Sequence, residues 1–159
     1  MKPTDYLALS IATCGVGYLP LMPGTFGSLL AVGIFLLFAR SVTGSSLVAV
    51  VLVLIFAFTV AGIWAGTRTE QLLGRKDPGR VVVDEVAGQF IALFPLTLFT
   101  RWSTAAVIVS FILFRFFDIV KPYPANRLQE VDGGMGIMFD DLLAGVYGAV
   151  VVSIFLRIF

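Results

Sequence analysis

Five carboxylates lie in or beside apolar stretches of this chain: Asp84 and Glu85 in VVVDEVAGQF, Asp118 in FRFFDIVKPYP, and Asp140 and Asp141 in GIMFDDLLAG. Ionised acids near hydrocarbon are costly unless they are paired or bind a cation, so each is a functional candidate. Arg115, Asp118 and Lys121 recur every three residues, and on a helix they form one polar stripe across an aromatic surface. A guanidinium clamps phosphate through two donors, an ammonium adds a point charge, and a carboxylate between them can hold a metal. Acids from three segments, with two cations among them, point to a divalent-metal site that handles phosphate. The stripe also has a purely structural reading, a self-satisfied Arg–Asp–Lys stack.

The acids differ in what they can do. Neighbouring residues on a helix point about 100° apart, so Asp84 and Glu85 do not face one point equally. One can bind a metal while the other orients a water. Gly88 lies one turn beyond Asp84 on the same face and leaves room for a close neighbour. In DGGMGIMFDDLLAG, Gly133, Gly134 and Gly136 predict a flexible loop delivering Asp140 and Asp141 to the next helix. Paired aspartates suit octahedral magnesium, which takes a few carboxylates plus waters and phosphate. Asp132 reads as a solvated turn residue, and Met135 and Met138 as packing. In PLMPGTFGSLLAV, Gly24 or Thr25 is predicted to cap a helix. The N–H groups of Gly24, Thr25, Phe26 and Gly27, with the Thr25 and Ser28 hydroxyls, would then face a phosphate at the positive end of the dipole. An ordinary capped helix entry with packing glycines is the other reading.

The inventory removes whole mechanisms. With no histidine, phosphohistidine catalysis and His-ligated zinc are excluded. Cys14 is the single cysteine and has no arginine at the spacing of a Cys-based phosphatase loop, so it reads as a small apolar filler. What remains is oxygen chemistry.

These residues need elements to hold them. Hydrophobic residues make up 58% of the 159 and charged residues 13%, and mean hydropathy is +0.99. A soluble domain is nearer a quarter charged, so this composition predicts an all-α integral membrane protein, one domain over residues 1–159. A net charge of +1 argues against a nucleic-acid partner. No cleavable signal peptide is evident in MKPTDYLALSIATCGVGYLP. Apolar runs predict a compact bundle of four to five membrane helices: Thr25 to Ala39, Ser46 to Gly66, Val81 to Phe99, Ser103 to Val120, and Asp141 to Ile158. Tyr6 to Tyr18 is short and carries two glycines, which predicts an interfacial or re-entrant N-terminal segment.

Threading those spans puts Lys2, Arg68, Arg75, Lys76, Arg80, Lys121 and Arg127 on one side, against Arg40, Arg101 and Arg157 on the other. The richer side is predicted to be cytoplasmic. Span polarity then brings all five acids to that face, although they played no part in setting the count.

PLMPGTFGS, VVVDEVAGQ, FRFFDIVKPYP and DGGMGIMFDDLLAG, in that order, resemble the motifs of the phosphatidylglycerophosphatase A family over roughly residues 15 to 150. The resemblance implies a magnesium-dependent bacterial enzyme of the inner membrane. Its substrate would be phosphatidylglycerophosphate, drawn from the membrane lipids and hydrolysed to phosphatidylglycerol and phosphate at the cytoplasmic face. In that reading Asp84, Asp140, Asp118 and Asp141 supply metal ligands, and Glu85 or Asp141 orients or deprotonates a water. Arg115, Lys121 and the helix start from Gly24 through Ser28 neutralise the phosphoryl oxygens. A carboxylate nucleophile, Asp84 or Asp118, is an equally open route.

Three rivals fit less of the chain. A cation-coupled transporter would place its acids near the midplane, often within internal repeats, and neither is seen. A non-catalytic binder of anionic lipid needs basic residues more than a carboxylate cluster. A CDP-alcohol phosphotransferase would carry DGxxAR…GxxxD…D, which is absent.

Overall fold

The computed structural model describes residues 1–99, 102–128 and 130–158; Arg101, counted above among the basic residues, lies outside them. The described residues are mostly helical and contain no strand. The helices are α1 (Pro3–Thr13), α2 (Pro23–Ser41), α3 (Ser45–Leu73), α4 (Val83–Leu93), α5 (Thr104–Val120), α6 (Ala125–Leu128) and α7 (Gly134–Ile158). Helices α2, α3 and α7 are each long and apolar enough to cross a membrane. Helix α5 has 17 residues and is capped by Ser103, whose hydroxyl accepts the Ala106 N–H. The protein is an all-α membrane protein.

Helix α4 departs from expectation. The run Val81 to Phe99 is not one lipid-facing span but an eleven-residue helix, about 16 Å long, continued by a 3-10 turn over Phe94–Leu98. Pro95 removes an amide there, and the chain tightens. Nine of the eleven residues are buried, so α4 is the centre of the bundle, with α2, α3, α5 and α7 packed around it. Phe90, Leu93 and Leu96 join Phe35 and Val51 in the main core. Gln89, fully buried, donates to Ser110 of α5 at 3.4 Å.

Three other boundaries move. Helix α2 begins at Pro23 with Met22 as its cap, and Met22 contributes no side-chain cap bond, so neither Gly24 nor Thr25 is the cap. Helix α3 runs 29 residues, about 43 Å, past the roughly 30 Å of a bilayer core. Helix α7 begins at Gly134, not at Asp141. Of Gly133, Gly134 and Gly136, only Gly133, at φ +77°, has the left-handed backbone of a loop glycine. Gly134 and Gly136 are helical, and a Cβ on either would run into the backbone of Ile63 or Val131. They serve close packing rather than flexibility. Met138 packs against Gly62, while Met135 faces outward.

Helix α1, with eleven residues, is too short to span a bilayer core. It lies along the C-terminal half of α3, where Asp5 accepts from Arg68 at 2.7 and 3.0 Å. The Lys2 amide and Arg68 together hold the Asp5 carboxyl below the usual range. The Ala12 carbonyl then accepts the Val82 N–H at 2.8 Å, tying α1 to the entry of α4.

Candidate active site

Alternating helix directions bring the starts of α2, α4 and α7, the end of α5 and the loop after α3 to one end of the bundle. There they enclose a cavity of about 240 Å³ lined by Asp84, Glu85, Asp118, Asp140 and Asp141, by Arg115 and Lys121, and by Gly24 and Asp77. All five sequence-predicted acids therefore meet. Gly88 permits it: its Cα lies against the Asp141 carbonyl and the Phe114 ring, so α4 and α7 touch beside the acids.

The acids fall into two groups. Asp84, Glu85 and Asp141 each present a carboxylate oxygen, and these atoms lie within 4.8 Å of one another. One buried oxygen of each, Asp84 Oδ1, Glu85 Oε2 and Asp141 Oδ2, has no hydrogen-bond partner. Three crowded carboxylates, each with an orphaned oxygen, are unfavourable in a bare protein and favourable around a cation. Asp118 and Asp140 instead have cationic partners. Arg115 Nη1 stands 2.8 Å from Asp118 Oδ2 and 3.9 Å from Glu85 Oε1. Lys121 donates to Asp140 Oδ2, while Asp140 Oδ1 accepts the Asp141 N–H at 3.0 Å. The Arg115–Asp118–Lys121 stripe is thus split, with its lysine turned to α7.

Lys121 ends α5 in the left-handed conformation, φ +45°, which swings its side chain over the cavity. Burial pulls its ammonium down, but the bond to Asp140 and the charges of Asp140, Asp141 and Asp118 outweigh this and hold it above the usual lysine range.

The α2 entry behaves differently from expectation. Of the five residues from Gly24 to Ser28 only Gly24 lines the cavity, with Glu85 and Arg115 so close that a Cβ would not fit. The Thr25 and Phe26 amides are occupied, bonding the Met22 carbonyl at 3.0 and 3.3 Å. Gly27 packs on the Val82 carbonyl. Buried Ser28 donates to the Gly24 carbonyl at 3.0 Å and accepts from Arg115 at 3.5 Å. The segment sets Arg115 in place more than it offers donors to a ligand.

Two residues were not singled out from sequence. Asp77, in the loop after α3, lines the cavity mouth. Solvent reaches it, yet its inner side is crowded. That desolvation, reinforced by Glu70 and Asp118 and partly offset by Lys121, raises its carboxyl. Glu70 accepts the Asp77 N–H at 2.9 Å and the Gly133 N–H at 3.0 Å, joining the loop to the start of α7. Lys76 adds bonds to the Glu130 carbonyl at 2.9 Å and to exposed Asp132 at 3.2 Å. The signal for Asp77 was its turn dipeptide Asp-Pro on the same predicted side as the acids.

Comparison with known proteins gives the chain a family. No solved structure matches the chain. A Bacteroides thetaiotaomicron protein named "Putative phosphatidylinositol-3-phosphatase" is 41% identical over 155 residues, 97% of this chain and 96% of the relative. Phosphatidylglycerophosphatase A of Haemophilus influenzae is 36% identical, over 96% of this chain and 88% of the relative. Phosphatidylglycerophosphatase A of Escherichia coli is 35% identical, over 85% and 74%. The family model described as Phosphatidylglycerophosphatase A matches residues 10–156, nearly the whole chain and every segment of the cavity. The chain is a phosphatase and belongs to the phosphatidylglycerophosphatase A family.

Proposed function

We propose that the protein hydrolyses the terminal phosphomonoester of phosphatidylglycerophosphate, with magnesium held by Asp84, Glu85 and Asp141, at the cytoplasmic face of a bacterial inner membrane. The observation that carries the metal assignment is the set of three mutually close carboxylates, each of which also has a buried oxygen without a hydrogen-bond partner. An all-oxygen donor set suits a hard divalent cation. When bound, such an ion supplies Lewis-acid stabilisation of the phosphoryl oxygens.

The chain's own residues do the rest. Arg115 and Lys121 line the cavity as its two cations and bind the equatorial phosphoryl oxygens, where charge rises in the transition state. Asp118, oriented by Arg115, accepts a proton from the attacking water. As the water oxygen bonds to phosphorus, the bond to the glycerol oxygen breaks, and that oxygen takes a proton from solvent water at the mouth beside Asp77, while Asp118 later returns its proton to solvent. Asp140 acts indirectly, holding Lys121 and the Asp141 amide. A carboxylate nucleophile, Asp84 or Asp118, is the other route, and trapping an acyl-phosphate would reveal it.

The orientation rests on charge. Lys2, Arg68, Arg75, Lys76, Arg80, Lys121 and Arg127 belong to the segments at the cavity end, whereas Arg40 and Arg157 close α2 and α7 at the opposite end. That asymmetry favours a cytoplasmic cavity.

The name of the Bacteroides relative motivates a second substrate, phosphatidylinositol 3-phosphate. Both lipids carry a phosphomonoester beyond a phosphodiester. Phosphate release by the purified protein from each lipid decides the matter. A higher kcat/KM for phosphatidylglycerophosphate supports the proposal. A higher value for the inositide moves the substrate and keeps the reaction, and release from neither overturns both.

A further inference from the structure

A phosphomonoester site explains Arg115 and Lys121 but leaves the lipid's second anion, its phosphodiester, without a partner. The rim of the cavity supplies one. Its two walls differ in chemistry. Met22 and Pro23 line it on one side, and the chain leading to them exposes Tyr18, Leu19 and Leu21, the last at 97% of its surface. The facing wall is the polar loop between α3 and α4, which contributes Asp77, Gly79 and Val81.

The walls join at Arg80. Its neighbours on both sides, Gly79 and Val81, line the cavity. Its carbonyl fills the space where Gly17 would carry a side chain, and its guanidinium rests 5.6 Å from the centre of the Tyr18 ring. Among the described residues no carboxylate lies within 4.0 Å of that guanidinium. An arginine laid on an exposed tyrosine beside apolar side chains is suited to the headgroup level of a bilayer. The stacked guanidinium keeps its in-plane donors free for a phosphate.

Resting on the phosphatase reading above, we propose that Arg80, seated on Tyr18, binds the phosphodiester of the lipid substrate. It thereby selects phosphomonoesters that carry a second phosphate on the membrane side. The lipid's chains lie against the Tyr18–Met22 wall, the diester reaches the seam, and the terminal phosphate reaches Arg115 and Lys121.

The control is already in the fold. Arg127 lies over the Tyr123 ring at 5.3 Å, the same ledge without cavity-lining neighbours on both sides. Two measurements on Arg80→Gln, Arg80→Lys and Arg127→Gln test the proposal. The first is the ratio of kcat/KM for phosphatidylglycerophosphate to that for phosphatidic acid, which lacks the diester. The second is binding of dihexanoyl phosphatidylglycerol, which carries only the diester, to detergent-purified protein. Loss of one charge-assisted contact predicts that Arg80→Gln lowers the ratio about tenfold, through KM, and weakens binding to a similar degree. Arg80→Lys retains part of both, and Arg127→Gln matches the parent. Parental ratio and binding in folded Arg80→Gln overturn the proposal. Equal losses in both glutamine variants also overturn it, since general surface charge then suffices. If the parent releases no phosphate from any lipid, the phosphatase reading falls. The binding comparison then judges Arg80 alone.

Discussion

Gly88→Ala adds one methyl group where α4 meets α7, and its consequence can be worked from distances. The new Cβ would stand 2.5 Å from the Asp141 carbonyl oxygen and 2.5 Å from Phe114 Cε2, whereas ordinary contact begins at 3.4 Å. Phe114 is fully buried and the other neighbour is backbone, so neither can swing aside. The helices must part by roughly 0.9 Å at Asp141 in a core packed to crystal-like density. Overpacking of this kind costs about 1–3 kcal/mol. The larger effect falls on chemistry, because a shift of about 1 Å in a reacting group lowers turnover about 100-fold. Gly33→Ala on α2 is the matched control, since nothing lies within 4 Å of its Cβ. It should leave turnover intact and stabilise by up to about 1 kcal/mol through helix propensity. Thermal unfolding and phosphate-release kinetics on both variants provide the assay. A folded Gly88→Ala protein with parental kcat would refute the claim that this contact sets the position of Asp141.

Further outcomes follow from the same geometry. Asp141→Asn should lower kcat at least about 100-fold, yet raise the melting temperature in metal-free buffer, because it removes one of three crowded anions. Magnesium should raise the melting temperature of the parent by mass action and fail to do so in Asp84→Asn/Asp141→Asn. Glu70→Ala strips the acceptor from the Asp77 and Gly133 amides; a loss of about 2–3 kcal/mol and a fall in turnover are expected, and unchanged thermal unfolding would contradict the brace. The Asp5 carboxyl is held low in the folded state. Its stabilising contribution is therefore present above the ordinary aspartate range, about pH 4, and lost as pH falls through the folded value. Asp5→Asn should thus melt earlier than the parent at pH 7, with the gap closing in acid.

Sequence made the chemistry legible sooner than the architecture. Acids beside apolar runs are expensive wherever the helices lie, so Asp84, Glu85, Asp118, Asp140 and Asp141 could be picked out and brought to one end by span polarity alone. The central helix was misread because an apolar run near 20 residues looks the same whether it faces lipid or protein on every side. Only packing distinguishes them, and it makes α4 short and buried. The Gly133–Gly136 run failed likewise: glycine marks freedom and close approach equally, and contacts with Ile63 and Val131 choose the latter. Asp77 sits in a polar turn, and nothing local says that the turn folds back over the acids. The pairing of Lys121 with Asp140 rather than Asp118 depends on the left-handed end of α5, a feature with no sequence signature here.

The central claim is that three clustered carboxylates, Asp84, Glu85 and Asp141, hold the cation on which lipid-phosphate hydrolysis depends. Phosphate release from phosphatidylglycerophosphate by the purified protein, with magnesium, with excess EDTA, and after magnesium is restored, tests it most directly. The account predicts release with magnesium, none under EDTA, and recovery on restoration. Full release under EDTA would contradict it, and the crowding of Asp84, Glu85 and Asp141, each with one unpartnered oxygen, would need another reason.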